Sequence, residues 1–213
     1  MSTEVRAAFF DFGGVILSSP FEAFNRYEEA HGLPRDLIRT INATDPDTNA
    51  WARFERSDVT FDEFCDLFEA EAAALGHRVT ARDLLPLLGG EVRPAMVEAV
   101  RRCRQHLVTA CLTNNWVSGS AVPDDPFRSG VHDALEVFDH VVESSRVGVR
   151  KPDPRFYELA CELAGVTPAE VVFLDDLGVN LKPARAMGMR TIKVGDPDTA
   201  LAELESVVGF GLH

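Results

Sequence analysis

Five short apolar runs set the limits on what this chain can fold into. AAFF, LVTACL, HVV, VVFL and TIKV lie far apart in 213 residues. All are too short for a core helix, and AAFF and VVFL, wholly apolar, read as strands buried on both faces. After the Gly-Gly pair at 89–90 they are spaced mainly by helical patterns. RPAMVEAVRRCRQH reads as a helix, LVTACLT and FDHVVES as strands, PDPRFYELACELAG as a helix and EVVFLD as a strand. LKPARAMGM then reads as a helix, RTIKVG as a strand and PDTALAELESVV as a helix. Fully buried strands separated by helices require a parallel sheet covered on both faces.

The segment after the first strand, Val5–Phe10, breaks this pattern. Gly13, Gly14 and the apolar Val15–Leu17 come first, and from Pro20 the spacing is helical. FEAFNRYEEAHG stops at Gly32, with Pro34 just beyond, as helices commonly stop. PRDLIRTINA and NAWARFERSD read as shorter helices. Thr60 opens TFDEFCDLFEAEAAALG with Glu63 at capping-box spacing and Phe61, Phe64, Leu67 and Phe68 at helical intervals. The expected architecture is an α/β fold: a Rossmann-like three-layer parallel sheet core with an inserted α-helical cap. The expected boundaries are 1–17 and 91–213 for the core and 18–90 for the cap. The turn-rich stretch Ser118–Ser129 is expected to be mobile.

Ligands of parallel sheets bind at the carboxyl ends of the strands. Asp11, Thr113 with Asn114, and Asp175 with Asp176 stand at such ends, and Lys151 lies just before a helix. A carboxylate, a hydroxyl, an ammonium and two more acids, each on its own segment, suit a magnesium site for phosphoryl transfer. Each also has a plainer reading. Asp175 and Asp176 suit the cap of the next helix, Thr113 an ordinary strand end, Lys151 a solvated surface. Asp11 is the strongest of the set, because a carboxylate ending a buried strand needs a cation or donors beside it.

Together FFDFGGVIL, CLTNNW, the Lys151-Pro152 step and VVFLDDLGVNLKPARAMGM resemble the four motifs of the haloacid dehalogenase-like hydrolase superfamily. The likeness spans nearly the whole chain. It is nearest to the branch containing the amino-terminal phosphatase domain of soluble epoxide hydrolase and the amino-terminal domain of certain acyl-CoA dehydrogenase fusion proteins. The resemblance implies that Asp11 is the nucleophile and forms an aspartyl-phosphate. It implies magnesium held by Asp11, the Gly13 carbonyl and Asp176, with Asp175 beside the metal. Thr113 and the Asn114 backbone would bind phosphoryl oxygens, Lys151 would neutralise charge, and Asn180 would support the metal loop. Since the sequence ends at His213, no epoxide-hydrolysing domain is expected after it.

Position 13 departs from the family's phosphatases, which usually carry Asp two residues after the nucleophile. Glycine keeps a carbonyl for the metal but offers no proton, and general acid–base catalysis is typically worth roughly 100- to 10,000-fold. Some relatives with glycine at this place are nonetheless regarded as sugar-phosphate phosphatases, so glycine alone does not prove inactivity. The expected reaction is therefore hydrolysis of a small phosphate monoester. The rivals are a catalytically weakened phosphate-binding or regulatory protein and a 2-haloacid dehalogenase, in which Asp11 attacks carbon without a metal.

Charge narrows the partners. A net charge of -13 and a pI near 4.8 argue against nucleic acid and anionic membranes, which require clustered Lys and Arg. A phosphorylated metabolite is compatible, since local charge decides there. Cys65, Cys103, Cys111 and Cys161 form no CxxC pair and read as reduced, buried thiols. The first residues lack a signal-peptide pattern and no run reaches membrane-spanning length, so a cytoplasmic protein is expected. The six histidines show no ligand spacing, and no GxGxxG follows the first strand. Trp116 suits either a substrate contact or core packing, and the cap aromatics Phe21, Phe24, Phe54 and Phe61 read as core. The sequence leaves the oligomeric state open.

Overall fold

The computed structural model describes residues 3–115 and 126–212, side chains at 126–130 excepted. Five parallel strands form one sheet: β1 (Ala7–Phe10), β2 (Val108–Thr113), β3 (His140–Glu143), β4 (Val171–Asp175) and β5 (Arg190–Lys193). Their order is β3-β2-β1-β4-β5, so β1 is central and its neighbours are β2 and β4. Phe10 lies beside Cys111 on one side and Leu174 on the other. That register brings Asp11, Thr113 and Asp175 to one edge of the sheet.

The two-residue period of β1 sorts its side chains between two cores. Ala8 and Phe10 pack with Met96, Val100 and Cys103 of a helix at Pro94–Arg104 and with Leu201 and Leu204 of a helix at Pro197–Val208. Ala7 and Phe9 pack on the other face against Phe156, Tyr157 and Ala160 of the helix Pro154–Ala164 and Leu181 and Ala184 of the helix Gly178–Ala186. Helix, sheet and helix make the three layers.

Between β1 and β2 the chain builds α1 (Phe21–Ala30), α2 (Leu37–Ala43), α3 (Ala50–Glu55) and α4 (Phe61–Ala74), then two short 3-10 turns. These helices bury their own apolar cluster, with Phe54, Phe64 and Phe68 at its centre. Thr60 and Glu63 form the capping box that starts α4. Three further glutamates close exposed backbone ends inside the unit. Glu28, 1% exposed, accepts from Asp36 and Ile38 N–H; Glu71 accepts from Ala50 and Glu69 from Ala81. Each such bond satisfies donors that a helix or turn start leaves open.

Two adjacent linkers connect this unit to the sheet. Leu17 bridges Val92 antiparallel, Ser18 N–H donates to the Glu91 carbonyl and Arg93 N–H to the Ile16 carbonyl. A Cβ on Gly90 would collide with the Ser18 backbone, so the two chains touch closely there.

The structure adds elements that the sequence pattern does not reveal. Pro126–Leu135 and Ser144–Val147 are helical. The tail of the Ser118–Ser129 stretch is therefore helix, while 118–125 and Trp116 lie outside the described residues. The helix placed at LKPARAMGM begins three residues earlier, at Gly178. Its start is fixed by side-chain bonds to Asp175 rather than by propensity: Leu177 N–H donates to Asp175 Oδ1 at 2.8 Å. No helix among the described residues is long and apolar enough to cross a membrane.

Candidate active site

At the carboxyl edge of the sheet, Lys151 stands between two strand-end acids. Its ammonium lies 2.7 Å from Asp11 Oδ1 and 2.8 Å from Asp175 Oδ2, and the side chain is 1% exposed. A buried ammonium survives only where carboxylates replace its lost water. Burial would pull its pKa down, but Asp11 and Asp175 outweigh that and hold it above the usual lysine range.

Asp175 is saturated with donors. Besides Lys151 it accepts from Leu177 N–H, and the Asn180 amide lies 3.0 Å from both of its oxygens. Tyr157 holds the other end of Asn180 by donating to its carbonyl at 2.7 Å. Asp11 also accepts from Phe12 N–H at 2.6 Å, while its own N–H donates to the Leu174 carbonyl. Burial pushes its carboxyl well above the ordinary range, against Lys151 and with Asp175 adding to the effect.

Asp176 completes the cluster. Oxygens of Asp11, Asp175 and Asp176 all lie within 4.8 Å of one another. Burial and then Asp175 push Asp176 up to about 6, with Lys151 and Arg93 opposing. Fully ionised, the three carboxylates would carry two more negative charges than the Lys151 ammonium balances, an excess that a divalent cation would offset. An all-oxygen set of this kind suits magnesium. The residues present therefore fit the ion.

A wide turn from Phe12 to Ile16 follows Asp11, closed by Leu17 N–H to the Phe12 carbonyl. Gly13 has φ −68° and an added Cβ would meet no atom within 4 Å. Gly14 has φ +75°, and a Cβ there would collide with the Asp176 carboxylate. Arg93 pins the turn from the return linker, its Nη1 donating to the Gly14 carbonyl at 2.6 Å.

Thr113 ends β2 at 8% exposure, opposite Glu143 of β3. The carboxamide of Asn114 does not point at the acids. It donates to the Lys151 carbonyl at 3.0 Å and accepts from the Lys151 N–H at 2.9 Å.

The helical unit reaches this edge through α3. Arg150 Nε stands 2.7 Å from Glu55 Oε2, an ion pair outside directed hydrogen-bond geometry, and Arg150 Nη1 donates to the Pro46 carbonyl. The Ser144 hydroxyl donates to the Glu55 carbonyl at 2.6 Å. Trp51 Nε1 donates to Glu55 Oε1, one turn away on α3. Burial pushes the Glu55 carboxyl up, against the Arg150 guanidinium.

Asp11, Lys151, Asp175, Asp176 and Asn180 thus meet at one point, with Thr113 at the neighbouring strand end. Gly14, Arg93, Glu55, Arg150 and Ser144 were not singled out by sequence reasoning. Only Gly14 carried a signal, as half of a Gly-Gly pair two residues after Asp11.

Residues 5–188 match the family model of the haloacid dehalogenase-like hydrolases. Mouse acyl-CoA dehydrogenase family member 10 is 36% identical over 98% of this chain, and pig bifunctional epoxide hydrolase 2 is 34% identical over 98%. The matches cover 20% and 40% of those proteins, so the chain spans well under half of either. A sesquiterpene phosphatase of Aspergillus oryzae is 27% identical, with 98% of this chain and 100% of that protein covered. Among solved structures, a family enzyme from Bacteroides thetaiotaomicron in complex with magnesium and inorganic phosphate shares the fold. Its TM-score is 0.57 at 21% identity, over 90% of this chain and 96% of that one.

Proposed function

This chain belongs to the haloacid dehalogenase-like hydrolases, and from that premise we propose that it is a magnesium-dependent phosphatase of a small phosphate monoester. One observation carries the reading. Fully ionised, the Asp11–Asp175–Asp176 cluster carries two more negative charges than Lys151 balances. That excess suits a divalent cation and a phosphoryl group, which favours phosphate chemistry over a metal-free dehalogenation. The phosphatase relative of full matching length supports the same choice.

In this mechanism Asp11 attacks phosphorus through the oxygen that Lys151 does not hold. An oxygen–phosphorus bond forms, the phosphorus–alcohol oxygen bond breaks, and an aspartyl-phosphate results. Lys151 opposes the burial that pushes the Asp11 carboxyl up and offsets charge on the phosphoryl group. Thr113 and the main-chain N–H of Asn114 bind phosphoryl oxygens. When bound, magnesium supplies Lewis-acid neutralisation of the phosphoryl oxygens, held by Asp11, Asp176 and the Gly13 carbonyl, with Asp175 beside it. Asn180 fixes the Asp175 rotamer through its two short contacts. Gly13 has no proton to give, so the leaving alkoxide takes one from solvent through the open space above it. The helical unit at 18–90 serves as a cap that opens to admit substrate and closes over the sheet edge. It leaves only the water that protonates the alkoxide and then cleaves the aspartyl-phosphate to Asp11 and phosphate.

Gly13 also favours a second reading, a phosphate-binding protein that turns over slowly. A screen of phosphorylated metabolites with and without magnesium separates the two. Magnesium-dependent release of phosphate is expected. Saturable binding without release selects the second reading, and neither result overturns both.

A further inference from the structure

Lys151 and Arg150 are neighbours in the chain but answer to different parts of the molecule. Arg150 reaches into the helical unit, to Glu55 and the Pro46 carbonyl. Lys151 faces the sheet edge, between Asp11 and Asp175. Under the cap reading above, Arg150 must change partners whenever the cap lifts. One peptide bond separates it from the ammonium on which the acids depend. Without a barrier, each opening would drag Lys151 away from them.

The Asn114 carboxamide supplies a barrier. Its oxygen accepts from the Lys151 N–H and its nitrogen donates to the Lys151 carbonyl, at 2.9 and 3.0 Å. Both backbone polar groups of one residue are thereby tied to one rigid planar group on the end of β2. The anchor belongs to the core: β2 is hydrogen-bonded on both sides, to β1 and β3. Asparagine is suited to the task because one amide offers an acceptor and a donor side by side. Serine or aspartate would supply only part of the pattern. Satisfying both groups also removes the cost of leaving them unpaired in a half-buried strap.

We propose that Asn114 is a positioning residue that fixes Lys151 by its backbone and insulates it from cap movements transmitted through Arg150. Its side chain is thereby engaged, so substrate contact falls to its main-chain N–H alone.

The test reads Lys151 directly and needs neither substrate nor metal, so it stands apart from the phosphatase reading. The chain has three lysines, and Lys182 and Lys193 are exposed, which makes them internal standards. Amine modification by reductive methylation, resolved by peptide mass spectrometry, should leave Lys151 unmodified in the wild type. Asn114→Ala removes two hydrogen bonds and should raise labelling of Lys151 roughly thirty-fold relative to the standards. Arg150→Gln alone should leave Lys151 protected, and the double variant should label faster than Asn114→Ala. If Asn114→Ala loses its fold by circular dichroism, Asn114→Asp, which keeps the acceptor and loses only the donor, replaces it and should raise labelling roughly five-fold. On a substrate that turns over, Asn114→Ala should lower kcat while KM stays near the wild-type value. Lys151 labelling unchanged in the folded Asn114 variant would overturn the proposal. So would exposure of Lys151 by Arg150→Gln as large as that by Asn114→Ala.

Discussion

Gly14 leaves the volume that the Asp176 carboxylate occupies; any side chain at 14 would collide with it. The same glycine sits at φ +75°, where a Cβ is strained whatever the space. Two independent demands thus fall on one position. Its neighbour Gly13 meets neither, with an ordinary φ and open surroundings. The Gly-Gly pair after Asp11 is therefore two different residues in function: one shapes the acid cluster, the other leaves space beside it.

Gly14→Ala should consequently displace Asp176 and weaken magnesium binding, measured by calorimetric titration, more than tenfold. It should also lower the melting temperature, since alanine at a positive φ destabilises by at least about 1 kcal/mol. Gly13→Ala is the control and should bind magnesium nearly as the wild type does. Equal loss in both variants would show that the collision with Asp176 is not what matters.

The pH dependence follows from the same cluster. Asp176 sits at about 6 in the folded chain against an ordinary 3.8, with burial as the main cause. Between those values the native state keeps a proton that the unfolded state has released. Stability therefore falls as pH rises through this window, by about 3 kcal/mol for this group at most. A divalent cation binds the ionised form and reverses the penalty. The magnesium-induced rise in melting temperature should accordingly be larger at pH 7.5 than at pH 5.0, and Asp176→Asn should remove most of the difference. A magnesium effect of equal size at both pH values would contradict this account.

The strands were legible because a short, continuous apolar run such as VVFL between helical patterns fits a strand buried on both faces. The α4 start was legible because Thr60 and Glu63 stand at a spacing with one mechanical use. The acids could be placed at strand ends for the same reason, since strand ends follow once the strands are known. Other features depend on pairings across the fold that no local pattern encodes. Glu55 and Arg150 are 95 residues apart, and no local pattern pairs them; the structure buries Glu55 and half-buries Arg150 against it. Arg93 falls at the start of the run read as a helix, yet its side chain pins the turn after Asp11. The helix after β4 began early because Asp175 binds the Leu177 N–H, a side-chain interaction that helix propensity does not report. Asn114 beside Lys151 is the same kind of contact, made between segments 37 residues apart.

The last prediction concerns the missing acid. In the wild type the aspartyl-phosphate should form faster than it is hydrolysed, because nothing at position 13 activates water for the second step. A substrate with a good leaving group needs no proton donor in the first step. It should therefore give a burst of alcohol release equal to the enzyme present, followed by slow turnover. Gly13→Asp should raise the slow phase by at least tenfold and leave the burst rate nearly unchanged. The backbone permits the substitution: φ is −68° and the added Cβ meets nothing within 4 Å. Strain cannot then be invoked to explain a failure. A fourth carboxylate would add charge to a cluster already in excess, so the gain should require saturating magnesium and should vanish when the ion is chelated. Rapid wild-type turnover of simple alkyl phosphates without a burst would show that another group already moves the proton. The role assigned to the open space at Gly13 would then fall.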